Sequence, residues 1–195
     1  MSKLIIIFLN LGALVNGQII EALLKCHNDW RSQIALIGNR TASNMRDINY
    51  DPNLETVARH FANQKPLKTS PYMRANGITV FHLKGNKMPS ELIREACFAR
   101  KRQLLDSNIQ WSPLFYTEQM FYEMGDAIQM IWAKTSRIGC EAKIFEDRLK
   151  HKHSIMVCKY EEKAKRGFAV YEEGQACEAC ERPRMCDNGL CIGEI

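Results

Sequence analysis

Eight cysteines, every one downstream of an apolar leader, limit what this chain can fold into more than any other feature. The leader has Lys3 ahead of an apolar run over residues 4–15, closed by Val15-Asn16-Gly17. A basic start, a short apolar core and a small-residue cleavage site make a secretory signal peptide, and the run is too short to span a bilayer. Residues 1–17 are read as that signal, so the mature chain is expected to be secreted and extracellular from about Gln18 onward. An even number of thiols carried into an oxidising compartment points to disulfides before metal. Asn39-Arg40-Thr41 is an N-glycosylation acceptor in a polar stretch, which fits secretion. No later segment reads as transmembrane.

At 195 residues and 46% hydrophobic, the chain has enough material for one core and a small appendage. Apolar positions at Ile20, Leu23, Leu24, His27, Trp30 and Ile34 follow a helical stripe and predict a first helix over 19–37. Asp51 ahead of Pro52 predicts the N-terminus of a second helix, which buries Leu54, Val57, Ala58 and Phe61. Residues 64–76 hold two prolines and little periodicity, so they read as a loop. The β-branched and aromatic run 78–82 reads as a strand. Ser90 with Glu91 opens a third helix whose apolar face is Ile93, Ala96, Cys97 and Leu104. A further helix carries Met124, Ile128, Ile131 and Trp132 on one face, and strands 138–145 and 154–160 are expected to pair as a hairpin. Helices with few, late strands give an α+β class. Residues 18–165 form the expected main domain, and 166–195 a cysteine-rich extension.

The text MGDAIQMIWAKTSRIGC at 124–140 carries a resemblance. Gly125, Gln129, Trp132, Thr135, Gly139 and Cys140 fall in register with the signature helix of the CAP superfamily, the cysteine-rich secretory, antigen 5 and pathogenesis-related proteins. His27, Asn28 and Arg31 resemble that family's HNxxR helix, Tyr50-Asp51 its W-D helix entry, and Val157-Cys158-Lys159-Tyr160 its V-C-x-Y strand. The resemblance runs from about His27 to Tyr160. It implies a three-layer α-β-α sandwich around a central antiparallel sheet, with a short disulfide-rich tail.

CAP domains typically hold two His and two Glu in a cleft that often takes a divalent metal. Carried over one at a time, those positions are Thr69, Ile78, Gln103 and Asp126 here. None keeps the family's residue. Zinc favours imidazole or thiolate ligands, and a lone carboxylate without a matched partner is a poor start for acid–base work. Asp126 is read as structural, held by backbone N–H groups at a helix N-terminus. His27, His60 and His82 lie on separate elements, and no other enzyme signature is present. No catalytic residue, metal or cofactor is assigned.

Cys140 and Cys158 sit in the two strands expected to pair, and the family links those positions. Cys26 and Cys97 would tie the first and third helices. The tail resembles the hinge of cysteine-rich secretory proteins, which implies Cys177–Cys186 and Cys180–Cys191; spacing alone fixes no connectivity, and a small zinc site is the rival. With few large apolar residues, that tail needs crosslinks or metal to fold.

Two features bear on binding. The loop before the signature helix is where family members bind sterols through a caveolin-type aromatic motif. Here it carries Trp111, Phe115, Tyr116, Phe121 and Tyr122, a partial match that could equally pack the core edge. Some members hold a fatty acid between helices, and Leu24, His27, Ile34, Ile93, Ala96 and Leu104 could line such a channel or simply close on one another. The net charge of +5 is mild and scattered, which suggests no nucleic-acid partner. Its dense run, residues 148–153, is a solvated hairpin loop or a patch for acidic glycans or anionic lipid. The leading reading is a secreted, non-enzymatic CAP protein that binds sterol or fatty acid. The alternative is an extracellular protein-interaction or immunomodulatory module working through loops and tail, with a metal-dependent hydrolase third.

Overall fold

The computed structural model describes residues 2–36, 41–111 and 113–193, so Asn39 lies outside the described residues. The first helix, α1 (Ser2–Leu36), includes the apolar leader. Then follow β1 (Thr41–Ala42), β2 (Asn49–Tyr50), α2 (Pro52–Ala62), α3 (Pro71–Ala75), β3 (Ile78–Lys84) and α4 (Pro89–Leu105). The second half holds α5 (Glu118–Glu123), α6 (Gly125–Met130), β4 (Arg137–Glu146), β5 (Lys152–Tyr160), β6 (Glu173–Gly174), β7 (Met185–Asp187) and β8 (Leu190–Ile192). Among the described residues, no helix is long and apolar enough to cross a membrane.

The central sheet runs β2-β4-β5-β3. β5 is antiparallel to both neighbours, with Cys140 opposite Cys158 and Thr79 opposite Cys158 on the other side. β2 departs from the expected all-antiparallel sheet: its two residues run parallel to β4, Tyr50 beside Ile138. So short an edge can align by chain direction alone, because Asp51 must immediately start α2. Being central, β5 is buried on both faces. Met156, Cys158 and Tyr160 meet Leu23 of α1 and Leu92, Ile93 and Ala96 of α4. Ile155 and Val157 meet Ala58 and Ala62 of α2 and Met73 of α3. The three layers follow from this alternation.

A second core lies beyond the sheet. Trp30 and Ile34 of α1 pack there with Leu104, Tyr116, Phe121, Ile128, Ile131 and Trp132. Val170, Tyr171 and Leu190, all past residue 165, belong to this same core. β1 pairs with β6, and the Cys191 amide donates to the Met45 carbonyl. The extension is thus packed into the domain.

Two segments differ from their sequence reading. The loop 64–76 contains α3, started by Ser70, whose hydroxyl accepts from the Met73 amide, and by Pro71 at the first helical position. Five residues are too few to show a period. The helix around Met124 is two short helices jointed at Met124, whose φ of −138° leaves helical space. Gly139 has a steric reason: a Cβ there would collide with the Glu55 amide, where the start of α2 lies on β4. All four expected disulfides form: Cys26–Cys97, Cys140–Cys158, Cys177–Cys186 and Cys180–Cys191.

Candidate functional site

Asp126, in the first turn of α6, is 4% exposed. Its partners are side chains, not the backbone N–H groups expected of a helix N-terminus. Thr69 donates its hydroxyl at 2.6 Å, Arg74 of α3 its Nε at 2.9 Å, and Arg100 of α4 a terminal nitrogen at 2.8 Å. The two guanidiniums are anchored in turn, Arg74 on the Phe121 carbonyl and Arg100 on that of Val80. Thr69 also accepts from the Val80 amide, fixing the loop to β3. Gly125 is required beside this network, since a Cβ would strike the Arg74 side chain and the Tyr116 hydroxyl.

Of the four carried-over positions, Thr69 and Asp126 therefore meet. Gln103 stands one turn along α4 and touches Arg100 and the Glu123 carbonyl. Ile78 faces the other side of the sheet, buried with Ala58, Met73 and Val80. Arg74 and Arg100 are the members that reading the sequence missed. No local pattern marks them, because they are 52 and 26 residues from Asp126.

The divalent metal that the resemblance implies does not fit this donor set. One carboxylate already saturated by two cations and a hydroxyl cannot serve as a ligand without releasing both guanidiniums, which would repel the metal. Among the described residues, no group of three or more His, Cys, Asp or Glu side chains is placed to hold a metal ion.

The HNxxR residues are structural too. Asn28 pairs its side-chain amide with both the N–H and the carbonyl of Ile48, as a neighbouring strand would. Arg31, fully buried, donates Nε to Arg46 and its terminal nitrogens to the carbonyls of Met130, Trp132, Ala133 and Thr135. Burial lowers its pKa to about 9, so it stays charged at neutral pH. Gln129 bonds Thr135, the Glu162 carbonyl and the Ala164 amide.

His27 donates Nδ1–H to the Leu23 carbonyl and accepts at Nε2 from the Tyr160 hydroxyl at 3.0 Å, which fixes the neutral tautomer. Burial, the larger effect, and nearby Arg31 hold its pKa down to about 4. A histidine depressed from 6.5 to about 4 is neutral in the fold while the unfolded chain takes up a proton, so stability is full above pH 6.5 and falls towards pH 4. At about 1.4 kcal/mol per pH unit, on the order of 3 kcal/mol disappears across that window. Urea midpoints at pH 7 and pH 4 for wild type and His27→Gln check this: the variant should lose distinctly less, and equal losses would acquit His27.

Among the described residues, the candidate acyl-channel side chains divide between two cores. Ile34 and Leu104 pack in the second core, while Leu24, Ile93 and Ala96 pack against the sheet. His27, Ala96 and Arg100 line a cavity of about 20 Å³, room for about one water rather than a hydrocarbon chain. The aromatic loop divides. Tyr116 and Phe121 are core; Trp111 is partly buried edge-on to Trp30. Phe115 is 50% and Tyr122 60% exposed, and Phe168, on the segment bridged to Phe115 through Ala169, is 61% exposed.

Comparison with known proteins agrees with this frame. Residues 24–160 match the model of CAP, the cysteine-rich secretory protein family. Human peptidase inhibitor 16 is 28% identical over 184 residues, 92% of this chain but only 37% of that protein's length. Venom allergen 3 of Solenopsis invicta is 23% identical over 157 residues, 72% of this chain and 65% of the relative. The crystal structure of NaASP2 with Zn2+ superposes with a TM-score of 0.73 at 26% identity, covering 88% of this chain and 94% of that one. Hookworm platelet inhibitor shares the fold, with a TM-score of 0.71 at 24% identity, over 91% of this chain and 92% of its own. With the signature helix, the sheet and the four bridges in place, the chain belongs to the cysteine-rich secretory protein (CAP) family.

Proposed function

We propose that this is a secreted, non-enzymatic CAP protein that binds a sterol through the exposed rings of Phe115, Tyr122 and Phe168. The observation that carries the reading is the exposure of these three rings beside a loop pinned to the core. The Tyr116 amide donates to the Phe168 carbonyl, and the Val170 amide to that of Leu114. Tyr122 stands edge-on to Phe121, 5.1 Å between centroids, and Arg166 covers the other part of Phe121. Rigid, exposed aromatics suit a flat, fused-ring hydrocarbon with one hydroxyl, and little ordering entropy is lost on binding. The family resemblance read from the sequence, in which the loop before the signature helix is the sterol-binding one, supports this reading. A fatty acid is the weaker candidate, because the candidate channel side chains divide between two cores and the cavity beside His27 and Ala96 is only about 20 Å³.

Purified protein should bind radiolabelled cholesterol saturably. Replacing Phe115, Tyr122 and Phe168 together by alanine should weaken binding by about tenfold or more, the loss of roughly 1.4 kcal/mol of contact. Saturable palmitate binding without cholesterol binding, or an unaffected triple variant, would overturn the assignment.

A further inference from the structure

We infer that the tip of the β4–β5 hairpin is a docking element for anionic lipid bilayers, with Leu149 as the inserted side chain and the flanking bases as headgroup contacts. The turn spans residues 147–151. Asp147 staples it: one carboxylate oxygen accepts from the amides of Leu149 and His151, and the Lys150 amide returns to the Asp147 carbonyl. The other oxygen accepts from His151 and His153. Behind it, His82 meets His153 at 2.9 Å, so a chain of ring hydrogen bonds runs from β3 through β5 to the turn. Two histidines on different strands thus support the tip. Burial opposes it, but these donors outweigh that and hold Asp147 at about 2, a fixed anion at physiological pH.

So rigid a turn has no need to expose hydrocarbon, yet Leu149 is 76% exposed, more than any other large apolar side chain among the described residues. Arg148, Lys150 and Lys152 surround it, all exposed. Lys84 on β3 lies across from His153, and Lys65 sits over the Phe145 ring at the same end of the sheet. Of the nearby carboxylates, Asp147 is taken up by the turn, and Glu146 lies 4.0 Å from Lys150, leaving Arg148 and Lys152 in excess at the tip. A ring of bases around one apolar tip fits a surface that is anionic at its face and hydrocarbon beneath. A sulfated polysaccharide would meet the bases and leave Leu149 without a role.

The test is co-sedimentation of the full protein with phosphatidylcholine vesicles, with and without phosphatidylserine, alongside a heparin column. Binding is expected only to the phosphatidylserine vesicles, and is expected to be abolished by high salt. Arg148→Glu with Lys150→Glu should reduce it by more than about tenfold, since each base near such a surface contributes measurably. Leu149→Ser should reduce it several-fold while leaving heparin retention unchanged. Both variants alter exposed residues, and an unchanged melting temperature verifies their folds. No vesicle binding, or vesicle binding indifferent to Leu149→Ser, would overturn the inference, the latter in favour of a purely polyanionic ligand.

Discussion

Replacing Arg31 by methionine is expected to destabilise the protein by at least about 3 kcal/mol, a large share of the stability of an ordinary domain. Methionine fills the volume but removes all the donors: the carbonyls of Arg46, Met130 and Thr135 lose the guanidinium, while those of Trp132 and Ala133 keep the Thr135 and Arg46 amides. Each buried acceptor left bare costs about 1–3 kcal/mol, and water cannot enter a site with no exposed surface. The carbonyls come from Arg46 and from the turn 130–135 that carries the chain out of α6 towards β4, so the defect would loosen α1 from both. Arg31→Lys is expected to fall between, because three donors on a flexible stem cannot serve five acceptors. Urea denaturation of the oxidised proteins decides it. A methionine variant within about 1 kcal/mol of wild type would refute the role given to this guanidinium.

Asp126→Ala carries the second large effect. It leaves Arg74 and Arg100 facing each other with no anion between them, and removing one member of a buried ion pair typically costs about 3–5 kcal/mol. Both arginines keep some access to water, with side chains 14% and 20% exposed, so the lower end of that range, about 3 kcal/mol, is expected. Asp126→His, which restores the family's residue, should be destabilised too and should hold no zinc, since the guanidiniums remain. The measurements are chemical denaturation and elemental analysis of the purified variants. Stoichiometric zinc in the histidine variant, or an alanine variant as stable as wild type, would show that the network is not what fills the cleft.

Most of the frame was legible because it is written in short-range patterns. The α1 stripe, the Asp51-Pro52 helix start and the two strands of the late hairpin each depend on neighbours a few residues away. The signature positions were equally visible: Gln129, Trp132 and Cys140 sit where the helix-to-strand passage needs them. What stayed hidden depends on distance along the chain. Arg74 lies in a five-residue helix without a readable period, and Arg100 is one of several bases on α4. Nothing local says that both converge on Asp126. The aromatic loop shows the same limit, for its composition was plain but only the packing separates Tyr116 and Phe121 from Phe115 and Tyr122.

The C-terminal extension also changes how the molecule would respond to a protease. The Cys177–Cys186 and Cys180–Cys191 bridges both span residues 181–185, exposed except for Arg184, while Val170, Tyr171 and Leu190 are held inside the second core. A cut in that segment therefore releases nothing: the far piece remains tied by two covalent links and anchored by its own buried side chains. Cleavage there would become visible as separate fragments only after reduction, and the intact fold would outlive the continuity of its backbone.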